Sequence, residues 1–241
     1  MPTTLNAQEV PRWAAIRVRA GDVLRLGPTR SGVRAYLAVA GGIDVPPVLG
    51  SRSTYLMGQL GGYQGRALQR GDVVSIGASP APLAKLEGRA VRPEATPAYG
   101  RDTLVRVILG PQDDRFTRDG IAAFLEGPYE MTPQFDRMGA RLNGPRIAHS
   151  RGHDIISDGI PLGAIQVVGD GQPIVLLVDR QTTGGYTKIA TVCSFDIGRV
   201  GQLRPGQELR FTRISVSEAH ARLRAERAAL DGAILVRRER M

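Results

Sequence analysis

An apolar residue, a tight turn built on glycine, and a run alternating between apolar and polar side chains occur together three times in this chain. The copies are Val18-Arg19-Ala20-Gly21-Asp22-Val23-Leu24-Arg25-Leu26, Leu68-Gln69-Arg70-Gly71-Asp72-Val73-Val74-Ser75-Ile76 and Leu203-Arg204-Pro205-Gly206-Gln207-Glu208-Leu209-Arg210-Phe211. A period of two gives one face to a core and the other to water, so each copy reads as a turn entering a β-strand. Turn-then-strand units of this kind are common in small closed β-barrels.

Further short apolar runs ending in glycine or proline extend the pattern. Val33–Ala40 reads as a strand running into Gly41-Gly42, and Thr54–Met57 precedes a second turn at Gly61-Gly62. Thr103–Leu109 reads as a strand ending at Gly110-Pro111. Ala164–Val168, the Asp170-Gly171 turn and Pro173–Val178 read as a hairpin. Asp119–Leu125 has the make-up of a short helix. Ser215 and Glu218 stand at capping-box spacing ahead of an alanine-, arginine- and leucine-rich helix over Ala219–Ala229. The apolar face of that helix is thin (Val216, Ala219, Leu223, Leu230), which suits packing on a barrel surface. Past it, Ile234–Arg238 is either a frayed end or a docking segment. Between the second and third copies lie Ala78-Ser79-Pro80-Ala81-Pro82 and Arg92-Pro93-Glu94-Ala95-Thr96-Pro97, whose prolines mark a connection without an apolar period. The reading is therefore four parts: residues 1–77, a proline-rich linker over 78–100, residues 101–214, and a helix with tail over 215–241.

With 241 residues, 42% of them hydrophobic, the chain has enough apolar surface for one large core or two small ones. The formal charge of +9 comes almost wholly from arginines, since Lys85 and Lys188 are the two lysines. Those arginines are scattered, and aromatic residues make up 5% of the chain, which argues against a nucleic-acid surface. Cys193, the single cysteine, sits in a strand-like run and reads as a buried, inert thiol. No apolar run reaches membrane-spanning length and the first residues carry no leader pattern, so the expected location is the cytoplasm.

The stretch Asp179-Arg180-Gln181-Thr182-Thr183-Gly184-Gly185-Tyr186-Thr187-Lys188 stands between two apolar runs and is far longer than a hairpin turn requires. It carries amide, hydroxyl, phenol and ammonium groups, and a glycine pair that lets backbone N–H groups approach a ligand. Asp158, in the turn-rich segment Ser157–Gly163, lies one hairpin away. An antiparallel arrangement would bring this carboxylate to the same end of a sheet as the polar stretch. The competing readings are a turn-capping Asp158 and a Lys188 lying along the barrel surface. His149 and His153 have i,i+4 spacing, but Ser150 and Gly152 between them and the lack of a zincin glutamate make them two unrelated loop histidines, with no metal site. His220 reads as an exposed residue of the last helix. No phosphate-loop or dinucleotide fingerprint is present.

Several long segments resemble one family, the biotin-dependent carboxyltransferase-like proteins, also called allophanate hydrolase subunit 2, which include the C subunit of bacterial 5-oxoprolinase and a domain of urea carboxylase. These are Ala35–Thr54, Gly110–Phe116, Asp136-Arg137-Met138-Gly139-Ala140-Arg141-Leu142, Ser157–Ile160, Gly163–Val167 and Gln181–Tyr186. Asp136 stands where the family has asparagine, and Val168 and Thr187 stand where it has proline. The resemblance implies a mainly β protein of two cyclophilin-like β-barrel domains with a C-terminal helix, the first barrel incomplete because the family's glycine-rich N-terminal segment is lacking. It implies a subunit of an ATP-dependent complex that opens the lactam 5-oxoproline to glutamate, with ATP bound mainly by or with partner subunits A and B. It further implies a small lactam or amide substrate. Asp158, Lys188 and Thr183 are the catalytic candidates. Arg137, Gln166, Gln181, Thr182, Gly184, Gly185 and Tyr186 are the substrate-binding candidates. Lys85 lacks the methionine flanks of a biotinyl lysine, so no covalent biotin is expected on this chain. The alternatives are a carboxyltransferase component of a urea carboxylase or allophanate hydrolase-like system, and a non-catalytic regulatory protein that antagonises a kinase inhibitor.

Overall fold

A computed structural model describes residues 1–100 and 103–237. Its centre is a closed barrel of seven strands. In chain order the strands are β1 (Thr3–Leu5), β2 (Gln8–Glu9), β3 (Leu24–Leu26), β4 (Arg89–Val91), β5 (Thr103–Leu109), β6 (Tyr129–Phe135), β7 (Gly139–Asn143), β8 (Asp154–Gly159), β9 (Ala164–Val167), β10 (Pro173–Leu176), β11 (Thr183–Tyr186), β12 (Lys188–Val192), β13 (Glu208–Arg213) and β14 (Ile234–Arg237). The helices are α1 (Arg118–Glu126), α2 (Ile197–Val200) and α3 (Val216–Ala233). Around the barrel the order is β10-β7-β6-β13-β5-β12-β9, closed by the β9–β10 hairpin. The β5–β13 pair is parallel and the other pairs antiparallel.

Alternation along the strands fills the barrel. Val105 and Val107 of β5, Tyr129 and Met131 of β6, Ala140 and Leu142 of β7, and Leu209 and Phe211 of β13 all point inward and are buried. Helix α1 contributes Phe124, whose ring stacks on Phe211 with centroids 4.6 Å apart. Its start is fixed by Thr117, whose hydroxyl accepts from the Gly120 N–H at 2.9 Å. The strands expected at Thr103–Leu109 and over the hairpin of Ala164–Val168 and Pro173–Val178 are β5, β9 and β10. Cys193 is buried, and burial pushes its thiol pKa up.

The three repeats make the same turn. In each, the fourth residue's N–H donates to the first residue's carbonyl: Asp22 to Arg19 at 3.0 Å, Asp72 to Gln69 at 3.1 Å, Gln207 to Arg204 at 3.0 Å. The side chain of that fourth residue returns the bond to the first residue's N–H, at 2.7, 2.6 and 2.8 Å. Glycine at the third place takes φ of +89°, +93° and +82°, the left-handed value that a type II turn demands there. Strands follow the first and third copies. After the second, only a single bridge from Ile76 to Ile43 forms.

Residues 1–77 depart from the sequence expectation. They hold a three-stranded sheet, β2-β1-β3, and isolated bridges; no second barrel forms among the described residues. Val33–Ala40, expected as a strand, is without regular structure, and Tyr36 and Leu37 are 88% and 62% exposed. A strand persists only where a neighbouring strand takes up its backbone groups, and here only Gln202 engages the backbone of Val33 and Arg34. The glycine pairs serve the chain itself: a Cβ on Gly41 would overlap the Gly77 carbonyl, and one on Gly62 would overlap the Thr54 hydroxyl. The last helix is capped as expected, with the Ser215 N–H donating to Glu218 at 2.7 Å and the Glu218 N–H to Ser215 Oγ at 3.2 Å. Its buried contact narrows to Ala219, while Val216 and Leu230 are exposed. The tail is neither frayed nor free as far as Arg237: β14 pairs with β4. Arg238 lies outside the described residues. No helix of the described residues is long and apolar enough to cross a membrane.

Candidate functional site

Part of the polar stretch is strand rather than loop, although Gln181 to Thr183 and Tyr186 are exposed. Thr183–Tyr186 is itself a strand, β11, and pairs antiparallel with β8, the segment expected to be an acidic loop. Mutual pairing explains both departures, since neither segment has an apolar face that would announce a strand. Gly184 stands opposite Asp158 and Thr183 opposite Gly159. A bulge lies between Gly184 and Tyr186, and bulges bend a strand and re-aim its side chains. Thr187 then passes the chain into barrel strand β12, which begins at Lys188.

Lys188 is fully buried, which rules out the reading that placed it on the barrel surface. Its ammonium donates to Asp158 Oδ2 at 3.1 Å, while the Asp158 side chain is 53% exposed. The hydrogen bond from Lys188 is the first cause holding the Asp158 carboxyl below its usual pKa; the Gly159 N–H, donating to Asp158 Oδ1 at 2.7 Å, is the second. A carboxylate so held is a weak proton acceptor. Asp158 is thus better suited to balancing Lys188 than to general-base work.

Gln112 completes the group and was not among the candidates, although it lies in the segment Gly110–Phe116 that carries the resemblance. Its Oε1 accepts from the Lys188 backbone N–H at 3.1 Å, its own N–H donates to the Lys188 carbonyl at 3.1 Å, and its amide reaches Asp158 Oδ2 at 3.5 Å. A glutamine directly after a strand-ending Gly-Pro was the available signal. Gln166 of β9 stands opposite Lys188 and is 2% exposed, and its Nε2 has no hydrogen-bond partner. A Cβ on Gly184 would sit 3.2 Å from that nitrogen, 3.7 Å from Gln181 Nε2 and 2.7 Å from Ile160 Cδ1. Gly184 therefore keeps open the space onto which two side-chain amides converge.

The other candidates spread outward. Gln181, Thr182 and Thr183 are exposed, and the Thr182 carbonyl accepts from the Ile160 N–H at 2.9 Å. Gly185 backs onto the Ile155 carbonyl. Tyr186 is 41% exposed and stacks on His153 at 6.0 Å. Arg137 is not joined to the Lys188 group by any described bond: its guanidinium is taken up by Asp179 at 2.7 and 3.0 Å, which also raises its pKa. His149 and His153 both lie in the segment before β8, as expected, and their rings meet edge to face at 6.2 Å. Among the described residues no three acidic, histidine or cysteine side chains cluster as metal ligands.

The structure thus brings together a buried lysine, the carboxylate that balances it and a buried amide nitrogen without a hydrogen-bond partner. Residues 1–213 match the family model described as carboxyltransferase domain, subdomain A and B. The chain belongs to this family. Over 209 residues it is 39% identical to the 5-oxoprolinase C subunit of Escherichia coli, a match covering 86% of this chain and 65% of that protein. Over 230 residues it is 34% identical to the 5-oxoprolinase C subunit of Haemophilus influenzae, covering 91% of this chain and 68% of the relative. The crystal structure of K. lactis urea amidolyase superposes with a TM-score of 0.87 at 31% identity, over 99% of this chain and 16% of the larger one. This carboxyltransferase-family chain thus spans about two thirds of the bacterial relatives and a small part of the fungal one.

Proposed function

We propose that this chain is the C-type member of an ATP-dependent 5-oxoprolinase complex, and that the Lys188 group grips the lactam. The reading rests on one observation above others: Gln166 Nε2 is a buried donor with no partner, on the residue opposite Lys188 in the β9–β12 register. Leaving such a donor unpaired costs about 1–3 kcal/mol, a cost a ligand oxygen would remove. Identity to the C subunits of bacterial 5-oxoprolinases points to which ligand. The barrel is read as the second cyclophilin-like domain of the family.

A lactam carbonyl is a poor electrophile, and preorganised donors and charge are the effective remedy. Lys188 and Gln166 supply them in this reading, with Gln181, Thr183 and the Gly184 and Gly185 amides along the open strand. Asp158 pairs with the Lys188 ammonium and yields one of its bonds when ligand oxygen arrives. At the glycine turns, Gly41, Gly61 and Gly62 lie close against their own chain. In this reading ATP is bound mainly by or with the partner subunits. With those partners reconstituted, ATP hydrolysis should depend on 5-oxoproline. Lys188→Met should lower that turnover by about 100-fold, in keeping with loss of one oxyanion donor, and Thr183→Ala by less. Undiminished turnover in Lys188→Met would remove the group from the reaction.

A second reading has its own support. The likeness to K. lactis urea amidolyase runs over 99% of the chain, which suits a carboxyl-transfer role with a biotin-bearing partner. Carboxylation of urea by the chain plus such a partner, without lactam-dependent ATP turnover, would favour it.

A further inference from the structure

Thr187 is the pivot between the two sheets that make the site. Before it, Tyr186 ends β11, which pairs with Asp158's strand; after it, Lys188 opens β12 of the barrel. The residue is fully buried. Its N–H donates to the His153 carbonyl at 3.0 Å and its carbonyl accepts from the Val167 N–H at 3.1 Å. Its hydroxyl lies 3.0 Å from His149 Nε2 and 3.4 Å from the Val167 carbonyl. His149 is thus the side chain that engages the pivot. The imidazole is itself held in place, tilted against Phe116 at 4.6 Å and bridged to it through the backbone. On the other side, His153 meets His149 at 6.2 Å and stacks on Tyr186 at 6.0 Å.

We propose that His149 is a positioning residue for the Lys188–Asp158 pair, acting through Thr187. The hydroxyl of Thr187 sits one residue from Lys188. A shift of this residue rotates the start of β12 and withdraws the ammonium from Asp158 Oδ2. The histidine acts without touching Lys188 or a ligand. It fixes the backbone from which the ammonium is aimed.

Positioning through an imidazole brings a pH dependence. Burial holds the His149 pKa below its usual value, with His153 and Arg146 acting the same way and the Val167 carbonyl opposing them. Groups facing the ring are Arg146 and His153 on its own segment, Thr187 and Val167 from the barrel, and Phe116; His153 in turn lies 3.4 Å from Asp154. At neutral pH the ring is uncharged, and either ring or hydroxyl can donate across the 3.0 Å contact. Once protonated, Nε2 can only donate, and Thr187 must turn its hydrogen to Val167. The pivot therefore has two hydrogen-bonding states on either side of the His149 midpoint.

The proposal rests on the reading of Lys188 and Asp158 as the ligand-gripping pair, but its test needs no ligand. In protein labelled with 13C at the aspartate carboxyls, the Asp158 signal is assigned by its loss in Asp158→Asn and followed into the acid range. Lys188→Met marks how far the midpoint rises when the ammonium is absent. His149→Ala should move it most of that distance, and His149→Gln, which keeps an N–H donor, should return it. An Asp158 midpoint unchanged in His149→Ala overturns the proposal, even if the melting temperature falls, because a purely structural histidine would give that result. Should His149→Ala not fold, the unaltered protein suffices: the Asp158 signal should show a second inflection at the midpoint of the His149 ring protons, and a single inflection overturns the proposal. A failed ligand assignment would look different, with Asp158 responding as expected but lactam turnover intact in Lys188→Met.

Discussion

Lys188 carries a charge with none of its side chain in water. Removing a buried ion from water costs several kcal/mol, and one partner seldom offsets that in full. Lys188→Met keeps the volume and discards the charge, leaving an Asp158 that is itself hydrated. The variant should therefore be as stable as the parent, or more stable by about 1–4 kcal/mol, as read by denaturant melts. Marked destabilisation would mean that the ammonium holds the β8–β11 pair in place. The two titrating groups act in separate windows. The Asp158 carboxyl is depressed, so its stabilising share is present above the ordinary carboxylate pKa and is lost as pH falls through the folded value. The depressed His149 ring binds its proton more readily in the unfolded chain, so stability declines as pH drops below about 6.5. His149→Phe should remove the second decline and, because it also loses the contact to Thr187, shrink the first, which pH-dependent melting temperatures would show. None of this was legible from residue type. Lysine is ordinarily a surface residue, and only the pairing of β12 with β5 and β9 places it inside.

Turns were the most legible elements because they follow from local chemistry. Glycine at the left-handed position and a returning Asp or Gln fix the same four-residue turn three times, with Asn6 and Arg66 adding bonds to Asp22 and Asp72. Gly206 has open space around it, so Gly206→Ala should cost about 1–2 kcal/mol, the backbone term alone. Gly163 shares the positive φ, but a Cβ there would sit 2.8 Å from Ile197 Cδ1 and 2.9 Å from the Val192 carbonyl. Gly163→Ala should cost more than Gly206→Ala by chemical denaturation; equal losses would show that the neighbours give way freely. Strands divide by what pairs with them. β5, β9 and β10 carry an apolar face and were legible, whereas β8 and β11 are strands only because they pair with each other. Val33–Ala40 shows the converse, an apolar run with no strand alongside.

At the scale of the whole chain, the first part is attached to the barrel through a few polar contacts. Gln202 Oε1 accepts from the Val33 and Arg34 N–H groups at 2.8 and 2.9 Å, and its Nε2 donates to the Arg34 carbonyl at 3.0 Å. Arg204 donates to the carbonyls of Gly32 and Thr29 at 3.1 and 2.7 Å. Gln202→Ala should speed proteolysis within residues 29–34 severalfold and leave the unfolding of the barrel core unchanged. A parallel loss of barrel stability would show instead that the two parts fold as one unit. The sequence by itself determined the mainly β class, the turn repeats, the helix cap and the family, because these depend on short-range patterns and on the order of segments. The tertiary structure alone decided that residues 1–77 form no second barrel among those described, that Lys188 is inside, that Gln112 bonds to its backbone and that His149 meets Thr187. Burial and strand pairing depend on which distant segment lies alongside, and a single stretch of sequence does not contain its neighbour.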